Sequence, residues 1–159
     1  MINSKSFPIP VNYFSIALGL LSLGLGWRSS AIYLGSSPTL GESLLILGEL
    51  VWLILIGVYL YKWFYRTESA QKELQDIIQC CFISLIPITT ILIGIAVLPH
   101  SRWLAEVLIA CGIAGSMLFA AYRSAGLWRG THVLEATTPV IYLPTVASSF
   151  ASASALGAL

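Results

Sequence analysis

The sequence predicts an all-α integral membrane protein with five transmembrane helices, the last of them cut short. Two compositional facts and one pattern predict it. Of 159 residues, 57% are hydrophobic and only 9% are charged, whereas a soluble domain carries roughly a quarter charged residues. Eight Lys/Arg and seven Asp/Glu cannot cover the surface of a soluble fold of this length. The same numbers exclude disorder, because disordered chains are polar and highly charged. The apolar residues fall into five long runs, each near the ~20 residues a helix needs to cross a bilayer core. Helices are expected because backbone groups in lipid must be satisfied internally. No run alternates with the period of two that marks a membrane barrel strand.

The first run, 6–27, has 22 residues and no charge, bounded by Lys5 and Arg28. Its apolar core is longer than a leader peptide needs and four more runs follow, so Ser29-Ser30-Ala31 is not read as a cleavage site. The second, 43–61, has 19 residues and one charge, Glu49. The third, 77–99, has 23 and none; the fourth, 103–122, has 20 and one, Glu106. The fifth, 136–159, has 24 and none, its first residues reading as an approach loop. The spans are accordingly placed at about 9–28, 43–63, 77–98, 103–125 and 141–159, in a single transmembrane domain 1–159.

Connections set the orientation. Lys5 lies on the N-terminal arm, Lys62, Arg66 and Lys72 in the 62–76 loop, and Arg123 and Arg129 in the 123–135 loop. With the N-terminus in the cytoplasm, six basic residues lie inside and only Arg28 and Arg102 outside, as the positive-inside rule prefers. Trp27, Trp63, Tyr65, Trp103 and Trp128 fall near span ends, where aromatic rings anchor at the headgroups.

Catalytic chemistry is not in view. Cys80, Cys81 and Cys111 sit within apolar runs and read as small buried hydrophobes. His100 and His132 are too few and too far apart for a zinc site, and no HExxH, CxxC, Ser-His-Asp or phosphate-loop spacing is present. No enzyme activity, cofactor or metal is expected, and a net charge of +1 gives no reason to expect nucleic acid as a partner. The lipid bilayer is the expected surround.

The odd-numbered spans carry small residues at helical spacing. Ser15, Gly19, Ser22 and Gly26 share one face of the first. Ser84, Pro87, Thr90 and Gly94 do so in the third, and Thr145, Ser148 (or Ser149), Ser152 and Ala155 in the fifth. The second span is bulky, with Leu53, Ile54, Leu55, Ile56 and Val58 and isolated Gly48 and Gly57. Such stripes serve either close helix packing or the wall of a pore, with odd helices inside and even helices facing lipid. Pro87 and Pro144 predict kinks, since each removes a backbone donor and clashes with the preceding turn. Glu106 lies one turn from Arg102 and reads as its partner. Glu49 has no evident partner, and Arg123 is expected to snorkel to the headgroups.

Four stretches then carry a resemblance. The run from Phe7 to Gly19, FPIPVNYFSIALG, the stretch Ser84–Thr90, SLIPITT, and the later AGLWRG (125–130) and YLPTVA (142–147) resemble signatures of the tellurite-resistance/dicarboxylate transporter family, whose members are related to plant slow anion channels. The resemblance runs over essentially the whole chain. It implies a ten-helix protein of five helical hairpins around a central pore, assembled as a homotrimer in the bacterial inner membrane. This chain would supply the first half of that pore. It implies passage of small inorganic anions or dicarboxylates, with Ser15, Gly19, Ser22, Ser84, Pro87, Thr90, Gly94, Pro144, Thr145, Ser148 and Ser152 as pore-lining candidates. Export of tellurite or of cationic drugs is an alternative on the same architecture. Where the family's first-helix motif has glycine beside the gate, this chain has Ser15, which narrows the expected pore. The sequence stops at Leu159 inside the fifth span. It therefore reads as the amino-terminal half of a transporter, or as a truncated remnant or half-subunit without transport of its own.

Overall fold

The computed structural model describes residues 9–35, 37–128 and 142–159. Among them every regular element is helical. A single 3-10 turn at Val11–Tyr13 leads into α1 (Phe14–Leu34), followed by α2 (Thr39–Tyr65), α3 (Thr67–Gln75), α4 (Ile77–Ile83), α5 (Leu85–Val97), α6 (Arg102–Trp128) and α7 (Leu143–Ala158). Four stretches are long and apolar enough to cross a membrane: Val11–Leu34, Thr39–Tyr65, Gln79–Val97 and Arg102–Ala125. Where the sequence predicts a fifth span, the described residues form α7, which has 16 residues, about 24 Å at 1.5 Å per residue against a core of roughly 30 Å, and it is not among the four.

Helix ends follow backbone chemistry rather than the charges that bound the apolar runs. α1 runs past Arg28 and stops only where Gly35 adopts φ 66°, the left-handed conformation that ends many helices. α2 starts directly after Pro38, four residues before the apolar run begins, because proline's fixed φ suits a helix start. The third span is divided. Pro87 has no N–H to give the Ile83 carbonyl, and the helix is interrupted at Ser84, whose N–H reaches Cys81 O at 3.3 Å. Pro144 does not kink a span. It falls in the first turn of α7, where a missing N–H breaks no helical bond.

Two antiparallel hairpins form the body, each closed on glycines. A Cβ at Gly24 would lie 2.8 Å from Leu45 Cδ2 and 3.1 Å from Gly41 O, so α1 and α2 touch backbone to backbone. In the second hairpin the equivalent position, Gly112 of α6, lies over Ile91 and the Pro87 carbonyl of α5. Lipid is as apolar as leucine and does not drive helices together, so close contact of this kind is what holds them. α5 is the hub, packing on α1, α6 and α7. The third span is 61% buried, against 17%, 17% and 22% for the first, second and fourth, so only the third of these spans is interior. Around it Phe14, Leu85, Ile88, Ile91 and Ile109 form the main core, joined by Ala151 and Ala155 of α7.

The end of the body near Lys62 corrects two expectations. The expected 62–76 loop is mostly helical, with α2 running to Tyr65 and α3 covering Thr67–Gln75, and Lys62 is buried on α2 and paired with Glu73. Arg123 does not snorkel. It lies inside α6, 7% exposed, and its Nη2 donates to Cys81 Sγ at 3.7 Å. The rest of the 123–135 loop beyond Trp128 lies outside the described residues, as do Lys5 and Arg129.

Candidate functional site

The three small-residue stripes meet different surroundings. On α1 the stripe is open: Ser15, Gly19, Ser22 and Gly26 are all exposed, and a Cβ at Gly19 or Gly26 would meet nothing within 4 Å. The third-span stripe is instead a packing surface. A Cβ at Gly94 would fall 2.6 Å from Ile109 Cγ1, and Pro87 lies against Gly112 and Gly115, so both seat on α6. Ser84 is buried and donates to Cys81 O at 2.6 Å. Thr90 donates to Ile86 O at 2.8 Å and lines a small cleft of about 290 Å³ between α5 and α6, beside Cys111 and Phe119.

The fifth-span line is also turned inward. Ser148 and Ala155 are buried and Thr145 and Ser152 half-buried. Thr145 Oγ1 donates to Tyr142 O at 3.0 Å and Ser148 Oγ to Thr145 O at 3.2 Å. The Pro144 side chain lies outside what is described. Among the described residues the three stripes thus meet different surroundings.

What the fold does form is a groove of about 620 Å³ between α1, α5 and α7. Ser22, Gly26 and Ser29 wall it from α1, Leu92 and Ile95 from α5, and Ser154 and Ala158 from α7. Of the pore-lining candidates expected from the sequence only Ser22 reaches it, with Gly26 of the same stripe. Its wall is mostly apolar with a few hydroxyls, and among the described residues Arg28 is the one charged residue lining it. Among the described residues, no three His, Cys, Asp or Glu side chains come together as metal ligands would.

Arg28, by sequence only a charge at a membrane edge, has a larger part in the structure. Its Nε and Nη2 donate to the two carboxylate oxygens of Glu42 at 2.7 and 2.8 Å, and its Nη1 donates to Ala96 O at 3.0 Å. The guanidinium thus ties α1 to the start of α2 and to the last turn of α5. That carbonyl end carries partial negative charge, which suits a cation. The sequence does hold a signal for this contact: Arg28 and Glu42 stand seven residues either side of Gly35, and an antiparallel hairpin turning there brings them level. The Arg102–Glu106 pair expected from spacing is present at 2.9 Å on an exposed surface. Glu49 is half-buried on α2.

Comparison with known proteins adds two matches. A family model described as SLAC1, voltage-dependent anion channel, matches residues 8–159. The tellurite resistance protein TehA homolog of Haemophilus influenzae is 38% identical over 157 residues, which is 98% of this chain and 48% of that protein. The chain spans about half the length of the curated relative it matches.

Proposed function

The chain belongs to the SLAC1 voltage-dependent anion channel family, with a TehA homolog among its relatives, and from that premise we propose that it contributes one wall of a membrane conduit for anions. The observation that carries this reading is the groove between α1, α5 and α7, with the open Ser/Gly face of α1 along it. A face of hydroxyls and bare backbone admits water and a partly hydrated ion, while Leu92 and Ile95 opposite supply no group that would trap one. Selection then rests on the width of the path and on how readily an anion sheds water. Small monovalent anions such as chloride and nitrate are favoured over dicarboxylates or tellurite, because a single cation lines the groove among the described residues. Passage is passive. The only carboxylates within the spans are Glu42, Glu49 and Glu106 of α2 and α6, and none of them lines the groove.

A groove walled by three helices conducts only when further helices close it. The matched relative is about twice as long as this chain, which supports a second set of helices completing the conduit. A homotrimer in a bacterial inner membrane, amino terminus in the cytoplasm, belongs to the same proposal; the distribution of basic residues supports that orientation.

The test is anion efflux from liposomes holding the full-length protein. Chloride and nitrate efflux above that of empty liposomes is expected, and Gly26→Leu and Ser22→Leu, which fill open space at the groove wall rather than packed seams, should reduce it. Efflux equal to empty liposomes, with the protein folded and inserted, overturns the reading.

A further inference from the structure

Among the described residues the groove's wall holds one charged side chain, Arg28, and its surroundings differ from those of an ordinary interfacial arginine. Its side chain is 17% exposed, while that of its partner Glu42 is 40% exposed. A guanidinium has five N–H donors. Two are committed to Glu42 and one to Ala96 O, which leaves one N–H on each terminal nitrogen. Those nitrogens form the planar fork that suits oxyanions and halides. The cation is held from two sides, by a carboxylate and by a helix carbonyl end, so it keeps its place at the mouth without filling the path.

We propose that Arg28 is an anion-contact residue at one mouth of the groove and that Glu42 sets how strongly it holds the anion. With Glu42 ionised, the pair is close to neutral at a distance, and a passing anion meets two donors but little net charge. With Glu42 neutral, the same donors carry a full positive charge. The pair is then a selectivity element: strong enough to draw an anion to the mouth, and screened enough to let it go. Weak, releasable binding of this kind is what conduction requires. The inference rests on the conduction reading above and deepens it by naming the contact residue and its modulator.

The experiment compares wild type, Glu42→Gln, Arg28→Gln, Arg28→Lys and the Glu42→Gln/Arg28→Gln double variant, each full length in liposomes, reading the concentration of chloride or nitrate that half-saturates flux. Glu42→Gln keeps the side chain's shape and removes its charge. It should lower the half-saturating concentration about three- to tenfold at low ionic strength, and the effect should shrink as salt screens it. Arg28→Gln should raise that concentration, and Arg28→Lys, which keeps the charge but loses the fork, should fall between. The double variant should hold the anion more weakly than Glu42→Gln alone, because the donors and charge of Arg28 are gone. If wild-type flux is saturable and Glu42→Gln leaves the half-saturating concentration unchanged, the inference fails while conduction stands. A Glu42→Gln variant whose half-saturating concentration is unchanged by the further loss of Arg28 also overturns it. If every variant and wild type match empty liposomes, the conduction reading fails and takes the inference with it.

Discussion

The seam between α5 and α6 makes a quantitative prediction. An ideal Cβ on Gly112 would stand 2.5 Å from Ile91 Cγ1, 2.9 Å from Pro87 O and 3.1 Å from Ile91 N. The first of these contacts is relieved by a rotamer change, but the other two are backbone and cannot move aside. Relief then requires the two helices to separate, which also loosens Gly94 over Ile109 and Gly115 over Pro87 on the same seam. Overpacking of this kind costs about 1–3 kcal/mol. Set against it is the gain of replacing a helical glycine by alanine, about 1 kcal/mol. Gly57 of α2 isolates that gain, because a Cβ there would meet nothing within 4 Å. Gly112→Ala should therefore be less stable than Gly57→Ala by about 1–3 kcal/mol, with the propensity term cancelling. Reversible unfolding in mixed micelles of rising dodecyl sulfate fraction, followed by circular dichroism, reads the difference. Equal stability of the two variants within about 0.5 kcal/mol would refute the claim that backbone contact closes the hairpin.

Three further outcomes are expected. Lys62→Met removes one partner of a pair whose side chains are 2% and 15% exposed, and should destabilise by up to about 3–5 kcal/mol. Adding Glu73→Leu should recover most of that loss in the same unfolding assay. Arg102→Ala, breaking a pair 72% and 48% exposed, should shift stability by less than about 1 kcal/mol. A small methanethiosulfonate should label Cys111, which is exposed, and spare Cys80 and Cys81, which are buried, until the protein is denatured; peptide mapping by mass spectrometry reads the sites, and early labelling of the adjacent pair would contradict the packing of Arg123 on Cys81.

Which of these features are legible in the sequence follows from how local each one is. Composition suffices for the membrane environment, because hydrocarbon tolerates few charges. An i,i+4 pair such as Arg102–Glu106 lies within one turn, and spacing alone finds it. Pro87 marks a break in the third span, and the interruption at Ser84 is where the lost hydrogen bond puts it. The stripes are ambiguous for a physical reason: a small side chain suits both a pore wall and a helix seam, and only the neighbour distinguishes them. Gly94 and Gly26 have the same chemistry, yet Gly94 is pressed on Ile109 and Gly26 faces open space. The Arg123–Cys81 contact joins residues 42 apart, and no periodicity reports a pairing at that range.

The contrast between the stripes supports placing the proposed conduit along α1. Within lipid, small residues at a seam are explained by the contact they permit, as Gly94 pressed on Ile109 is. Among the described residues the stripe on α1 meets no such neighbour, since a Cβ on Gly19 or Gly26 would touch nothing within 4 Å. A lipid-facing surface in this protein looks different: α2 exposes Leu50, Leu53, Ile54 and Leu60. Serine at Ser15 and Ser22 on an exposed face gives hydrocarbon a polar group to desolvate, and leucine would serve that position better. The same serines facing water lose nothing. The open face of α1, with Ser29 and Arg28 beside it, is therefore where the proposed water-filled path would run.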